Sequence, residues 1–197
     1  MANIRGAAIL GTIEYARTTF GDESLAKVRA AVQAETLALL GEGADGGRVL
    51  ADGWYDTRLL VDLSREIDRV CGSGDLSLVR AAGRYCAFQD VNRFFKWLLR
   101  IAGPSTLFQR AASVFRSYHD SGIYVVEHAG PGRAAIRLED WRGADPVMCK
   151  RIEGWIERAL ELTLGADKRP HIHETGHCAR DASLSAHTFC RFVADWS

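Results

Sequence analysis

Ser117-Tyr118-His119-Asp120-Ser121-Gly122-Ile123-Tyr124-Val125-Val126 is the stretch where the chain changes its period. Upstream, apolar residues recur at helical spacing: Leu59, Leu60, Leu63, Ile67 and Val70 form one face of a helix expected over 57–71. The same reasoning predicts helices over 25–32, 34–40, 76–89, 90–101 and 106–118, with Gly21-Asp22, Gly41-Glu42-Gly43 and Gly103-Pro104-Ser105 as breaks. Downstream, Ile123 to His128 and Ala134 to Glu139 are β-rich runs joined by Gly130-Pro131-Gly132, which predicts a hairpin. One helix follows over 146–164, opened by Pro146 and stopped by Gly165, and closing strands are expected over 171–175 and 188–196. The fold class is therefore α+β, a helical part over 1–120 packed on a small antiparallel sheet over 121–197, read as one unit.

Composition narrows the function. Lys+Arg and Asp+Glu both number 25 in 197 residues, so there is no global field for nucleic acid or an acidic membrane. The start of the chain lacks a signal-type apolar core and no run of 18 apolar residues occurs, which leads to the expectation of a cytoplasmic protein. An odd number of cysteines, five, without framework spacing reads as thiols or metal ligands. Gly-Xaa-Ser-Xaa-Gly, P-loop and Gly-Xaa-Gly-Xaa-Xaa-Gly motifs are all missing, so the chain is expected to be non-enzymatic.

The last quarter gathers ligand chemistry: Cys149, Glu174, His177, Cys178 and Cys190. Thiolate and imidazole are groups that zinc prefers, and a tetrahedral set could be drawn from them. His173-Glu174-Thr175-Gly176-His177 also has the spacing of a metal-dependent hydrolase, but Thr175 and Gly176 after Pro170 are poor helix material, and that chemistry needs one helix. Cys71 and Cys86 read as small buried hydrophobes, and His171, His173 and His177 as solvent-facing. Tyr85, Phe88, Phe94, Trp97 and Phe115 form an aromatic stripe that either packs the core or lines an apolar ligand pocket together with His119.

Ile4-Arg5-Gly6, Phe20-Gly21, Gly53-Trp54-Tyr55, Gly83-Arg84-Tyr85, Tyr118 to Gly122 and the end from Cys178 to Trp196 resemble a bacterial family best known from myxobacteria. That family looks like a relative of the heme-nitric-oxide-binding and 4-vinyl reductase ligand-binding domains. The resemblance to 4-vinyl reductase domains implies a structural zinc on Cys149, Cys178 and Cys190 beside a buried small-molecule pocket. Thr175 stands where those domains carry a Glu, which leaves Glu174 or His177 as the fourth ligand, and eleven residues separate Cys178 from Cys190, more than the pattern has. The resemblance to heme-nitric-oxide sensors places His119 at the iron-ligating position. The Tyr-Xaa-Ser-Xaa-Arg motif that holds the heme propionates is missing, since Tyr124 is followed by neither the Ser nor the Arg, and on that ground heme is not expected. The resulting expectation is a sensor or adaptor that binds a small apolar ligand or a protein partner, with structural zinc and a homodimeric state. Heme-based gas sensing through His119 stands as the alternative, with hydrolysis through His173, Glu174 and His177 behind it.

Overall fold

The computed structural model describes residues 2–41, 47–94, 96–164, 168–175 and 189–197, with side chains left out over 91–105. A short strand β1 (Asn3–Arg5) leads into α1 (Gly6–Ala31), then α2 (Ala34–Leu40), β2 (Trp54–Asp56), α3 (Thr57–Cys71), α4 (Ser77–Phe94) and α5 (Lys96–Tyr118). The hairpin β3 (Ile123–Gly130) and β4 (Arg133–Glu139), the helix α6 (Pro146–Leu164) and the strands β5 (His171–Glu174) and β6 (Cys190–Asp195) complete the order. The four C-terminal strands form one antiparallel sheet in the order β3-β4-β6-β5. The expected α+β architecture is the one observed.

Local chemistry explains the boundaries. Asp56 caps α3 by accepting a hydrogen bond from the Arg58 amide at 2.9 Å, and Asp145 does the same for the Val147 amide at 2.8 Å at the head of α6. Asp68, buried on α3, receives the Leu76 and Leu78 amides at 2.7 and 2.9 Å and so ties the start of α4 to α3. Gly21 interrupts α1 with φ +81°, a conformation that glycine adopts without steric cost, at the turn expected there.

Two local features differ from the sequence reading. Gly103-Pro104-Ser105 does not end a helix but lies inside α5. Proline forfeits one helical hydrogen bond there, and the buried stripe of Leu107, Phe108, Ala111 and Phe115 holds the rest of the helix to the core. Trp54 to Asp56, where the sequence reading places no element, is a strand that pairs antiparallel with Asn3 to Arg5. Three residues carry too little periodicity for that pairing to show in sequence.

Helices α4 and α6 meet at backbone distance. A methyl group on Gly83 would strike the Arg151 carbonyl, and one on Gly154 would strike the Arg80 carbonyl. Around this contact Arg80 pairs with Glu157 at 3.1 Å, and Arg84 pairs with Glu157 and Glu161 at 2.6 and 2.9 Å. We expect Gly154→Ala to lower the unfolding free energy by about 1–3 kcal/mol, the cost of overpacking a tight contact. A chemical-denaturation midpoint equal to wild type would show that the helices separate without penalty.

Candidate functional site: a cavity at the end of α5

The end of α5 is fixed by the N-terminal strand. The His119 amide closes the last helical turn onto the Phe115 carbonyl at 2.9 Å, and Ile4 and His119 form a β-bridge. Both carboxylate oxygens of Asp120 are taken by Asn3, one from its amide at 2.8 Å and one from its side chain at 2.7 Å. The backbone on either side of His119 therefore has no room to drift.

The imidazole of His119 stacks on Phe115, with ring centres 4.4 Å apart and planes 26° apart, and meets Trp141 edge-on at 5.3 Å. Its Nδ1 is buried with no hydrogen-bond partner among the described residues. Burial, reinforced by the positive charge of Arg151 and opposed by Asp120, pushes its pKa from the usual value down to about 3. The ring is thus neutral at pH 7 and keeps a lone pair available for a ligand.

His119 lines a cavity of about 260 Å³ bounded by β1, α1, α4, α5, α6 and β3. Ile4, Ala8, Leu10, Val114, Met148 and Ile152 supply apolar walls. Polar groups enter at a few points. Tyr124 presents a hydroxyl that is buried without a partner, and burial alone pushes its pKa well up, so it stays protonated. Asp90 accepts hydrogen bonds from the Tyr118 hydroxyl at 2.8 Å and the Trp155 indole at 3.0 Å, joining three helices at one carboxylate. Arg151 is anchored to Thr12 Oγ1 at 2.7 Å, the Ala8 carbonyl at 3.2 Å and Cys86 Sγ at 3.1 Å. Burial raises the Cys86 thiol pKa, with Arg151 opposing.

Of the residues expected to form the ligand pocket, Phe115 and His119 line this cavity. Tyr85 packs on Tyr15 at 5.8 Å, and Phe88 is exposed beneath Arg158, both outside the lining. The side chains of Phe94 and Trp97 lie outside the described residues. Sequence reasoning missed Asp90, Tyr118, Tyr124, Arg151 and Trp155. Arg151, a charge on the buried face of an amphipathic helix, was the one visible signal.

The structure brings Cys149, Glu174 and Cys190 together, with their ligand atoms within 4.8 Å of one another and the two sulfurs 3.3 Å apart. His177 and Cys178 lie outside the described residues. His173 and Glu174 sit on β5, where adjacent side chains point to opposite faces, so they do not form the one-sided helical pair that the hydrolase reading requires.

No family model matches the chain, and no curated protein matches it. Solved structures do. The Fe(II) unliganded H-NOX protein from K. algicida superposes with a TM-score of 0.70 at 12% identity, over 98% of this chain and 97% of that one. The H-NOX protein from S. oneidensis in the Fe(II)NO state gives 0.66 at 12% identity, over 98% and 99%. An oxygen-binding H-NOX domain related to soluble guanylate cyclases gives 0.64 at 10% identity, over 98% and 95%. This chain has the H-NOX fold.

That likeness overturns the expectation set against heme, which rested on one missing motif: the structures sharing this fold are heme proteins, and nothing in them speaks for zinc. The reason is physical, since a cavity assembled from six elements leaves no contiguous signature. None of these likenesses bears on a 4-vinyl reductase relation, a myxobacterial origin or a dimer. Among the described residues no helix is long and apolar enough to cross a membrane.

The neutral state of His119 has a consequence for stability. Its folded pKa lies below the unfolded value of about 6.5, so the unfolded chain binds the extra proton and stability falls as pH drops from about 6.5 toward 3. We expect this group to contribute on the order of 1 kcal/mol of loss per pH unit in that window. Unfolding midpoints at pH 7 and 4.5 should diverge in wild type and diverge less in His119→Leu.

Proposed function

We propose that this chain is a sensor domain that carries heme in the cavity at the end of α5, with His119 as the iron ligand. The observation that carries this reading is the imidazole itself: neutral, flanked by aromatic rings and lining the cavity of a fold shared with heme proteins. Heme would supply an iron with a coordination position for a small gas molecule. The chain supplies the rest. His119 offers a lone pair that no proton occupies at neutral pH, and the Phe115 stack holds the ring in place. The walls from α1, α5 and α6 are largely apolar, and Tyr124 lines the same cavity with its hydroxyl protonated.

A second reading is favoured by size. At about 260 Å³ the cavity sits just below the range of drug-sized ligand sites, roughly 300–1,000 Å³, so it suits a small apolar molecule bound directly. The two readings separate in one experiment. Protein purified with heme precursor supplied, or titrated with hemin, should show a Soret band saturating at one equivalent, and His119→Ala should lose it. A wild-type protein whose spectrum shows no specific hemin binding overturns the heme reading and leaves the direct-ligand one.

A further inference from the structure

We infer that Trp141 is the positioning residue of His119, fixing the plane of its imidazole by packing where no hydrogen bond does so; the inference rests on His119 being the ligand-binding group of the cavity. Metal-ligating histidines are normally oriented by the second ring nitrogen donating to a carboxylate, a backbone carbonyl or water. Here Nδ1 has no such partner among the described residues, and the adjacent carboxylate of Asp120 is occupied by Asn3. Orientation therefore falls to the neighbouring rings.

Three rings make a closed set. The imidazole lies on Phe115 at 4.4 Å, while the indole of Trp141 meets the imidazole at 5.3 Å and 83° and Phe115 at 5.7 Å and 72°. Edge-on contact on one side and stacking on the other leave the imidazole no plane to rotate into. Phe115 lines the cavity but Trp141 does not, so the indole acts on the ligand only through His119. The charged groups acting on His119 are Arg151 from α6 and Asp120 beside it, and neither hydrogen-bonds the ring.

The surrounding backbone is shaped to admit the indole. Trp141 is 5% exposed. Gly122, at φ +99°, leaves a gap in which a Cβ would come within 3.0 Å of Trp141 Cβ and 3.2 Å of Phe115 Cε1. Gly143 does the same on the other edge, where a Cβ would lie 3.1 Å from Trp141 Nε1. Asp140, the residue before the indole, takes φ +50°, an uncommon conformation for a side-chain-bearing residue. A turn closed by the Ala144 amide on the Trp141 carbonyl at 3.1 Å completes the clamp. Two glycines and one left-handed aspartate around a single indole are more than a core tryptophan needs for burial.

The test uses the full-length chain with and without hemin. In the hemin-free, ¹⁵N-labelled protein, long-range ¹H–¹⁵N correlation of the His119 ring should give one sharp set of signals in wild type and in Trp141→Phe. Trp141→Ala and Trp141→Leu should give broadened or averaged signals, the leucine variant serving if the alanine variant fails to fold. On hemin titration the same two variants should bind roughly 10-fold or more weakly, with Trp141→Phe restoring affinity. A single sharp wild-type-like ring spectrum in a folded Trp141→Leu overturns the inference whatever hemin does. Ring signals that behave as expected in a protein that ignores hemin support the inference and overturn the heme reading alone.

Discussion

The approach of α6 to α4 is the constraint on which the cavity depends. Gly83 and Gly154 let each helix present a backbone carbonyl to the other's glycine, so the two axes close to a distance that any side chain would prevent. Once α6 is set there, Met148, Arg151, Ile152, Trp155 and Ile156 all reach the cavity from one helix. The ion pairs of Arg80 and Arg84 with Glu157 and Glu161 fix how far the helices slide along each other, a matter of register more than of stability, since partly exposed pairs contribute little.

Arg151 is the second consequence of that geometry. A guanidinium 7% exposed is costly to bury unless its donors are used, and here a hydroxyl on α1, a carbonyl on α1 and a thiol on α4 take them. The same charge reaches across the cavity to disfavour protonation of His119. One residue thus joins α6 to α1 and α4 and adds to the burial that keeps the imidazole neutral.

How far the sequence foretold this follows from the length of each signal. Helices with long apolar stripes, such as α3 and α6, and the hairpin at Gly130-Pro131-Gly132 were legible because periodicity accumulates over many residues. The pairing of Asn3 to Arg5 with Trp54 to Asp56 was not, because three-residue strands separated by about fifty positions leave only a non-local trace. His119 stood out as a candidate, but its companions Tyr124, Asp90 and Trp141 come from different elements and share no spacing. The expectation against heme failed for a related reason: it tested one contiguous motif for a property that belongs to a cavity.

The segment from His119 to Tyr124 departs from the local consistency seen elsewhere. His119 Nδ1 and Tyr124 Oη are both buried without partners among the described residues, within six residues, on two side chains that line a cavity. Leaving a buried polar atom unmatched costs about 1–3 kcal/mol, so two together are a sizeable fraction of a domain's stability. Core packing offers no return for that loss, because apolar side chains of the same shape would fill the space at lower cost. A binding site does, since the neutral imidazole of His119 and the apolar walls from α1, α5 and α6 line one cavity that a ligand would cover. The unmatched atoms are therefore better read as the cost of holding an imidazole and a phenol beside a binding cavity than as a defect of the core.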